Sequence, residues 1–410
     1  MADDAATTEV DPLSDPREQR VLLAALNSFR QYRQAAHYNI THLRRQSFYS
    51  LPAQHLDLLC EEPFDIPSFL RQVDAAIDSN ADLAEAIYNN ALQMFDIDPT
   101  DPSNSTSTTP GDMDKAQSTL KQLYRDWSSE GQAERTASYT PVLEALETYL
   151  PATPPQRHQY QILVPGAGLG RLLFDIVGAG YTASGNEISY HQTMASAYIL
   201  NACQRAGQHG LFPWVQGFSN HFSREDQLQK VKVPDVLPAE ALHAAGESEV
   251  HWSQRMSMAS GDFCVVYREA DYEDVYDAVT TCFFIDTAPN LIHYIETVKH
   301  CLKPGGLWIN HGPLQWHFES TQTPAEAAKD EDGASLAEEK GLGSTKANEG
   351  IGEPGSFELT DVEVRQLLVR LGFEVVMRGV APGGRTGYIQ NPQSMLQTAY
   401  RPSFWVAKKL

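Results

Sequence analysis

The chain has 410 residues, and its 31 basic and 53 acidic residues give a formal net charge of -22. Negative charge of this size opposes binding to phosphate backbones, so we expect no nucleic-acid partner. No apolar run approaches the ~18 residues that a membrane helix needs, so we expect no membrane partner either. The length allows two or three domains, or one catalytic fold with a long extension, and the pattern below favours the second.

The cysteines are five in number, scattered and without a C-x-x-C pair. This pattern argues against a disulfide framework and against a zinc site, so we expect no metal and a reducing compartment. The N-terminal residues are acidic and polar, which is unlike a signal peptide. These features predict a cytoplasmic protein, and they allow a nuclear location as well.

Three regions follow one another along the chain. Residues 1–17 are polar and acidic and predict a disordered tail. Residues 18–155 carry apolar residues at three- and four-residue spacings, which predict an N-terminal all-helical extension. Residues 156–410 alternate between strand and helix patterns, which predicts an α/β domain with a seven-stranded, mostly parallel Rossmann-like sheet and helices on both faces. The first predicted strand begins near Tyr160, and the second ends at Glu187. The later predicted strands are Phe263–Tyr267, Ala278–Ile285, Leu307–Asn310, Phe373–Met377 and Ser403–Ala407.

Two segments interrupt the alternation in the second region. Residues 214–261 form a long insertion that is placed to cover a cofactor cleft. Residues 321–355 are rich in Ala, Glu, Lys and Gly without aromatics, and they predict a disordered acidic loop. The basic residues between Arg30 and Arg45 lie on a helical pattern and predict a solvated helix face.

A glycine-rich turn follows the first predicted strand, in residues 162–171 (ILVPGAGLGR). Gly166, Gly168 and Gly170 allow a sharp turn and a close approach of backbone amides to a ligand. Glu187 follows 17 residues after Gly170, at the end of the next strand, where a carboxylate can accept hydrogen bonds from two ribose hydroxyls. The G-x-G-x-G spacing favours S-adenosylmethionine, while a dinucleotide and a turn without a ligand stay open.

Two later strand ends carry further candidates, because ligands bind at the carboxyl ends of parallel strands. Asp262 and Phe263 could bind an adenine amino group and stack on its ring, or they could be a turn residue and a core aromatic. Cys282 and Asp286 come at the end of another strand. Asp286 or Thr287 could also be only the cap of the next helix.

The chain resembles the carnosine N-methyltransferase family from about residue 20 to the C-terminus. The residues that carry this resemblance include the glycine turn with Gly185–Glu187, Thr281–Ala288 (TCFFIDTA), Leu302–Gly306 (LKPGG), Ser118–Ser128 (STLKQLYRDWS) and Ala133–Arg135 (AER). Two features depart from the family pattern: His311 stands where an apolar residue is usual, and residues 321–355 look like an insertion.

The resemblance implies the site residues. The family's S-adenosylmethionine contacts fall on Gln122, Arg125, Gly166, Glu187, Asp262, Phe263 and Cys282, with Gly168 and Gly170 in the same turn. The acceptor contacts fall on Asp286, His317, Tyr388 and Tyr400. Without the resemblance, Arg125 would be read as a surface charge and the two tyrosines as ordinary, partly buried aromatics.

The implied reaction transfers a methyl group from S-adenosylmethionine to an imidazole nitrogen of carnosine, giving anserine and S-adenosylhomocysteine. Related His-containing dipeptides are expected acceptors as well. Three alternatives stay open: a methyltransferase for another imidazole such as a protein histidine, a non-catalytic S-adenosylmethionine-binding interaction protein, and a nicotinamide-dependent reductase. The only partner that we expect is a small peptide substrate, and a homodimer is left open.

Overall fold

The computed structural model describes residues 15–104, 106, 108–245, 248–316, 355–380 and 384–410. The chain divides into two compact units. The first comprises residues up to Tyr124, Tyr190–Asp235 and Gln393–Met395, and the second comprises Arg125–Ser189, Val236–Pro392 and Leu396–Leu410. This division does not coincide with the predicted boundary at residue 155, because residues 125–155 group with the sheet and residues 190–235 group with the N-terminal helices.

The described helices are, in chain order, α1 (Pro16–Ala36), α2 (Leu43–Tyr49), α3 (Ala53–Cys60), α4 (Ile66–Met94), α5 (Pro110–Trp127), α6 (Gln132–Tyr149), α7 (Arg171–Gly178), α8 (Tyr190–Ala197), α9 (Arg224–Gln227), α10 (Pro238–Ala244), α11 (Phe263–Val266), α12 (Leu291–Cys301) and α13 (Asp361–Arg370). The described strands are β1 (Gln161–Pro165), β2 (Thr182–Glu187), β3 (His209–Leu211), β4 (Val231–Val233), β5 (Met256–Ser260), β6 (Tyr276–Cys282), β7 (Leu302–Gly312), β8 (Phe373–Val380) and β9 (Ser403–Lys409). Within the described ranges, none of these helices is both long and apolar enough to cross a membrane.

The first unit is mainly helical, and its first helix begins earlier than the sequence predicts. Asp15 is the N-cap of α1 and accepts a hydrogen bond from the backbone amide of Arg17 at 2.8 Å. Residues 16 and 17, which the sequence assigns to the disordered tail, are therefore helical. Residues 1–14 of that tail lie outside the described residues, and so does the predicted acidic loop apart from Gly355.

The predicted basic face of the first unit is neutralised by α4. The guanidinium of Arg33 forms ion pairs with Asp78, Asp82 and Glu85 at 2.6 to 2.9 Å. Arg45 pairs with Asp74 in the same way. Because each of these cations faces a carboxylate, the segment offers little free positive charge to a phosphate backbone.

The second unit is built on a seven-stranded sheet, counted over the part of the chain that the structure describes. Its strand order is β5-β2-β1-β6-β7-β9-β8. The pairs from β5 to β7 are parallel, and β9 pairs antiparallel with both β7 and β8. The expected mostly parallel Rossmann-like sheet is confirmed. The carboxyl ends of β1, β2, β5 and β6 thus lie along one edge, where the candidate residues were predicted.

Helices cover both faces of this sheet. Leu163 of β1 packs in a core cluster with Ile295 of α12 and Leu368 of α13. Val164 follows Leu163 on β1 and is paired in register with Gly185 of β2. A side chain at Gly185 would collide with Leu173 of α7. Because successive strand residues point to opposite faces, α7 lies on the other face from α12 and α13.

Two strand predictions are wrong. Residues 263–267 contain the short helix α11, because the side chain of Asp262 caps it by accepting hydrogen bonds from the amides of Cys264 and Val265. The third strand of the parallel part is instead β5, which lies inside the predicted insertion 214–261 and pairs with β2 at the edge of the sheet. The sequence of β5 (MSMAS) lacks the β-branched residues that mark most strands, so the pattern hides it.

Candidate active site

The glycine turn after β1 has the left-handed backbone that the sequence predicts. The φ angles of Gly166, Gly168 and Gly170 are 64°, 58° and 77°. A β-carbon on Gly166 would lie 2.4 Å from Cδ2 of Phe284, so this glycine also allows the aromatic ring to approach the turn. Gly170 is the residue before α7, so the turn leads directly into the N-terminus of that helix.

We predict that Gly166→Ala lowers the free energy of unfolding by about 1–3 kcal/mol, because the new methyl group meets Phe284 and the left-handed backbone disfavours alanine. Displacement of the turn should also weaken S-adenosylhomocysteine binding about 10-fold, or about 1.4 kcal/mol. Urea unfolding and calorimetric titration measure the two effects. Gly379→Ala is the matched control, because a β-carbon there meets nothing within 4 Å. Equal behaviour of the two variants would contradict this steric role.

Glu187 lies at the end of β2 and is 6% exposed. Its Oε2 accepts a hydrogen bond from the amide of Gly168 at 2.9 Å, and its Oε1 accepts one from the amide of Ser189 at 2.8 Å. Burial raises the pKa of this carboxyl, and the backbone amides only partly oppose that shift. A carboxylate has about four acceptor positions, so hydroxyl donors from a ligand would stabilise the buried charge further.

Arg125 near the end of α5 belongs to a buried polar cluster that sequence reasoning missed. Its Nε donates to Oδ1 of Asp126 at 2.8 Å, and its Nη2 donates to the hydroxyl of Tyr139 at 2.7 Å. The hydroxyl of Tyr139 donates in turn to Asp126 at 2.7 Å. Burial is the largest single influence and lowers the pKa of Arg125, but Asp126, Tyr139 and Tyr388 together outweigh it, so this pKa is raised well above its usual value.

One atom of this cluster has no partner. Nη1 of Arg125 is buried and makes no hydrogen bond within the described residues. A buried guanidinium nitrogen without an acceptor is costly, and a carboxylate is the acceptor that it fits best. Together with the glycine turn and the buried Glu187, this atom fits a ligand that carries both a carboxylate and ribose hydroxyls, as S-adenosylmethionine does.

Three further cofactor candidates lie in the second unit. Asp262 caps α11 through Oδ1, and Phe263 is 4% exposed in an aromatic cluster with Phe284 and Tyr294. The thiol of Cys282 donates to the backbone carbonyl of Ser138 at 3.8 Å, and burial raises its pKa to about 12. This thiol is therefore neutral and unsuited to act as a nucleophile. The roles of all three in cofactor binding stay predictions.

The acceptor candidates Asp286 and Tyr400 are joined through Gln315. Asp286 is 3% exposed, and its Oδ2 accepts a hydrogen bond from the amide of Gln315 at 2.9 Å. The hydroxyl of Tyr400 donates to Oε1 of Gln315 at 2.6 Å. The alternative of Asp286 or Thr287 as a helix cap is wrong, because Asn290 caps α12.

Tyr388 connects this group to Arg125. Its ring centroid lies 4.5 Å from the guanidinium carbon of Arg125 and 5.1 Å from the ring centroid of Phe283. The ring of Phe283 also contacts Tyr400 at 5.9 Å. Phe283 has a φ of 55°, so the chain turns sharply after β6 and brings this ring between the two tyrosines. Phe283, Asp126 and Tyr139 carry no sequence signal of their own, since only the fold brings them to these positions.

Two predicted site residues stay predictions. Gln122 lies in α5 within the first unit, and His317 lies outside the described residues. His311, the departure from the family pattern, is fully buried on β7, and neither of its ring nitrogens has a hydrogen-bond partner among the described residues. Burial lowers its pKa to about 4, so it is a neutral core residue.

Known proteins resemble the chain over most of its length. A family model described as carnosine N-methyltransferase matches residues 102–410. A carnosine N-methyltransferase of Schizosaccharomyces pombe is 36% identical over 395 residues, which are 96% of this chain and 97% of that protein. A carnosine N-methyltransferase of Mus musculus is 38% identical over 298 residues, which are 72% of this chain and 70% of that protein.

The matches cover the glycine turn and the strands of the second unit. They confirm the predicted N-methyltransferase class and S-adenosylmethionine as the methyl donor, and they disfavour the dinucleotide alternative. The chain belongs to the carnosine N-methyltransferase family.

Proposed function

We propose that this protein methylates an imidazole nitrogen of carnosine to give anserine, and that it accepts related His-containing dipeptides. The observation that carries the proposal is the buried carboxylate of Asp286 at the end of β6, linked through Gln315 to the hydroxyl of Tyr400. A carboxylate and a phenol held at fixed positions suit a small acceptor with one N–H and further polar ends.

The reaction requires little from the protein beyond alignment of the imidazole nitrogen with the methyl group. An imidazole with a pKa near ~6.5 is largely neutral at pH 7, so its nitrogen is nucleophilic without a strong base. S-adenosylmethionine supplies the electrophilic methyl group when it is bound. Asp286 accepts the N–H of one ring nitrogen, so the lone pair of the other is directed outward, and its negative charge stabilises the imidazolium that forms.

The remaining acceptor residues orient the substrate. The ring and the polar ends of the dipeptide are held by the hydroxyls of Tyr388 and Tyr400 and by the side chain of His317. Arg125 and Glu187 bind the two ends of the methyl donor, its carboxylate and its ribose. This division of roles rests on the family pattern and on the chemistry of each side chain.

The test is to incubate the purified protein with labelled S-adenosylmethionine and, separately, carnosine, homocarnosine, Gly-His and a peptide-depleted lysate. We expect mass spectrometry to place one methyl group on the imidazole of each dipeptide. Anserine is a matched control acceptor, because it already carries the methyl group and should take no label. Methylation of a lysate protein but of no dipeptide would favour the protein-histidine alternative and contradict the proposal.

We also propose that the protein works in a reducing compartment such as the cytoplasm, without a nucleic-acid partner. The five free cysteines and the net charge of -22 support this proposal. Fractionation of cells that express a tagged chain tests the location. A predominantly secreted or organelle-lumen signal would contradict it.

A further inference from the structure

Helix α6 carries a carboxylate that binds the backbone of the segment containing Tyr388. Oε2 of Glu134 accepts a hydrogen bond from the amide of Ile389 at 2.8 Å, and Oε1 accepts one from the amide of Gln390 at 2.6 Å. Two successive amides that converge on one anion form a nest, a geometry that holds negative charge firmly. Glu134 stands in the Ala133–Arg135 motif, and the site described so far gives it no role.

The segment that Glu134 binds has an unfavourable backbone. Ile389 has a φ of 55°, which is a true outlier for a β-branched residue and costs on the order of 1–3 kcal/mol. A β-carbon on Gly387 would lie 2.8 Å from Oε1 of Glu134, so the carboxylate fits closely against the turn. Such a conformation persists only where its surroundings impose it, and the two hydrogen bonds from Glu134 do so.

The turn fixes the position of Tyr388, which lies between Gly387 and Ile389. The Tyr388 ring is 40% exposed, so burial alone does not hold it against Arg125 and Phe283. Because Tyr388 directly precedes Ile389, we expect relaxation of this turn to shift the Tyr388 side chain relative to both neighbours. The conformation at Ile389 therefore controls where the phenol of Tyr388 points.

A second residue of α6 holds the other end of the same segment. Oγ of Ser138 lies 3.1 Å from Oγ1 of Thr386, and the backbone of Thr386 is paired with that of Tyr400 in both directions. Glu134 and Ser138 are four residues apart and so share one face of α6. This face thus contacts both ends of the turn that presents Tyr388, and through Thr386 it also reaches Tyr400.

The next residue of the motif holds the end of α5. Nη1 of Arg135 donates to the backbone carbonyls of Arg125 and Ser128, both at 2.6 Å. Arg135 thereby satisfies carbonyls at the C-terminus of the helix that carries Arg125. Adjacent residues of α6 therefore support the cofactor candidate Arg125 and the acceptor candidate Tyr388.

We propose that Glu134 is a positioning residue for the acceptor, which acts by clamping the strained Gly387–Gln390 turn so that Tyr388 faces the bound dipeptide. This inference rests on the proposed function, because it assumes that Tyr388 contacts the acceptor. It predicts that loss of the carboxylate changes the affinity for the dipeptide and leaves the binding of the methyl donor nearly unchanged.

The experiment compares Glu134→Ala and Glu134→Gln with the wild type and with Glu144→Gln. Glu144 lies on the same helix, is exposed, and its carboxylate holds no backbone amide in the described residues, so it is the matched control. We expect Glu134→Ala to raise the KM for carnosine about 10-fold, with a change of less than about 2-fold in the Kd for S-adenosylhomocysteine. Glu134→Gln keeps one acceptor oxygen, so its KM for carnosine should lie between those of the wild type and Glu134→Ala.

A merely structural role would give a different result. Partial unfolding lowers the active fraction and hence the apparent kcat, but it leaves the KM of the remaining folded enzyme unchanged. Unchanged KM values in both variants, with wild-type turnover of carnosine, would overturn the clamp and leave the proposed function intact. Absence of turnover by the wild type with every dipeptide would overturn the proposed function.

Hydrogen exchange tests the clamp independently of activity. The amides of Ile389 and Gln390 should be protected in the wild type and in Glu144→Gln, and they should exchange at least about 10-fold faster in Glu134→Ala. Protection that is equal in all of these proteins would contradict the clamp even if no dipeptide is turned over. Faster exchange confined to this turn would support it.

Discussion

Replacement of Arg125 by methionine should weaken S-adenosylhomocysteine binding about 100-fold, or about 2.8 kcal/mol. The guanidinium is already held by Asp126 and Tyr139, which leaves Nη1 buried and without an acceptor among the described residues. We expect that nitrogen to donate to the carboxylate of the methyl donor. Removal of one partner of a buried charged pair typically costs 2–5 kcal/mol, so the expected loss is near the lower end. Isothermal titration calorimetry measures it.

The variant needs two controls, because it also leaves Asp126 as an unpaired buried charge. The double variant Arg125→Met/Asp126→Asn removes that charge and should recover most of the lost folding stability without recovering affinity. The second control is a ligand, 5′-methylthioadenosine, which lacks the amino-acid carboxylate. Its affinity should be the same for wild type and both variants. A parallel loss of affinity for this ligand would mean that Arg125 does not act on the carboxylate.

The local parts of the fold follow from the sequence alone. The glycine turn depends on residues near each other in the chain, and the structure gives it the left-handed backbone that the sequence predicts. The mostly parallel class of the sheet follows from the alternation of strand and helix patterns. These features are predictable because short-range geometry decides them.

Two elements are misread, one because a side-chain cap overrides residue composition and one because an edge strand lacks an alternating pattern. Residues 263–266 (FCVV) have the composition of a strand, but the side chain of Asp262 satisfies the first amides of a helix and starts one there. Strand β5 is an edge strand in which none of the five residues is fully buried, so no alternating apolar pattern marks it. Composition is a weak guide in both segments.

The candidate site shows the same contrast between residues with a local sequence signal and residues whose contacts come from distant parts of the chain. Arg125 looks like a surface charge because nothing in its neighbourhood along the chain shows that Tyr139 and Tyr388 lie against it. Glu134 is more than 250 residues from the amides that it binds, so no local pattern could connect them. Polar residues that act by holding other groups become visible only when the fold brings their partners together.

Asp286→Asn should lower kcat for carnosine about 1,000-fold, or about 4 kcal/mol, and leave S-adenosylhomocysteine affinity within about 2-fold of the wild type. Asp286 is 3% exposed, so water screens its charge only weakly. The negative charge therefore stabilises the imidazolium that forms during methyl transfer. The amide of asparagine can still accept one hydrogen bond, but it carries no charge. It can also present its NH₂ group to the imidazole, which would favour the wrong tautomer. Single-turnover kinetics separate this loss from product release.

The exposed Asp271 is the matched control, because it precedes the amino-terminal end of β6 whereas Asp286 follows the carboxyl end, so Asp271→Asn makes the same chemical change and should leave kcat unchanged. Asp286 also accepts the amide of Gln315, so its replacement could disturb Tyr400, which is bound to the same residue. Gln315→Ala isolates that effect: it breaks the link to Tyr400 and keeps the charge of Asp286. If charge stabilisation is the main role, Gln315→Ala should lower kcat at most about 10-fold. A loss as large as that of Asp286→Asn would instead assign the effect to the positioning of Tyr400, and unchanged turnover in Asp286→Asn would contradict any role in the methyl transfer.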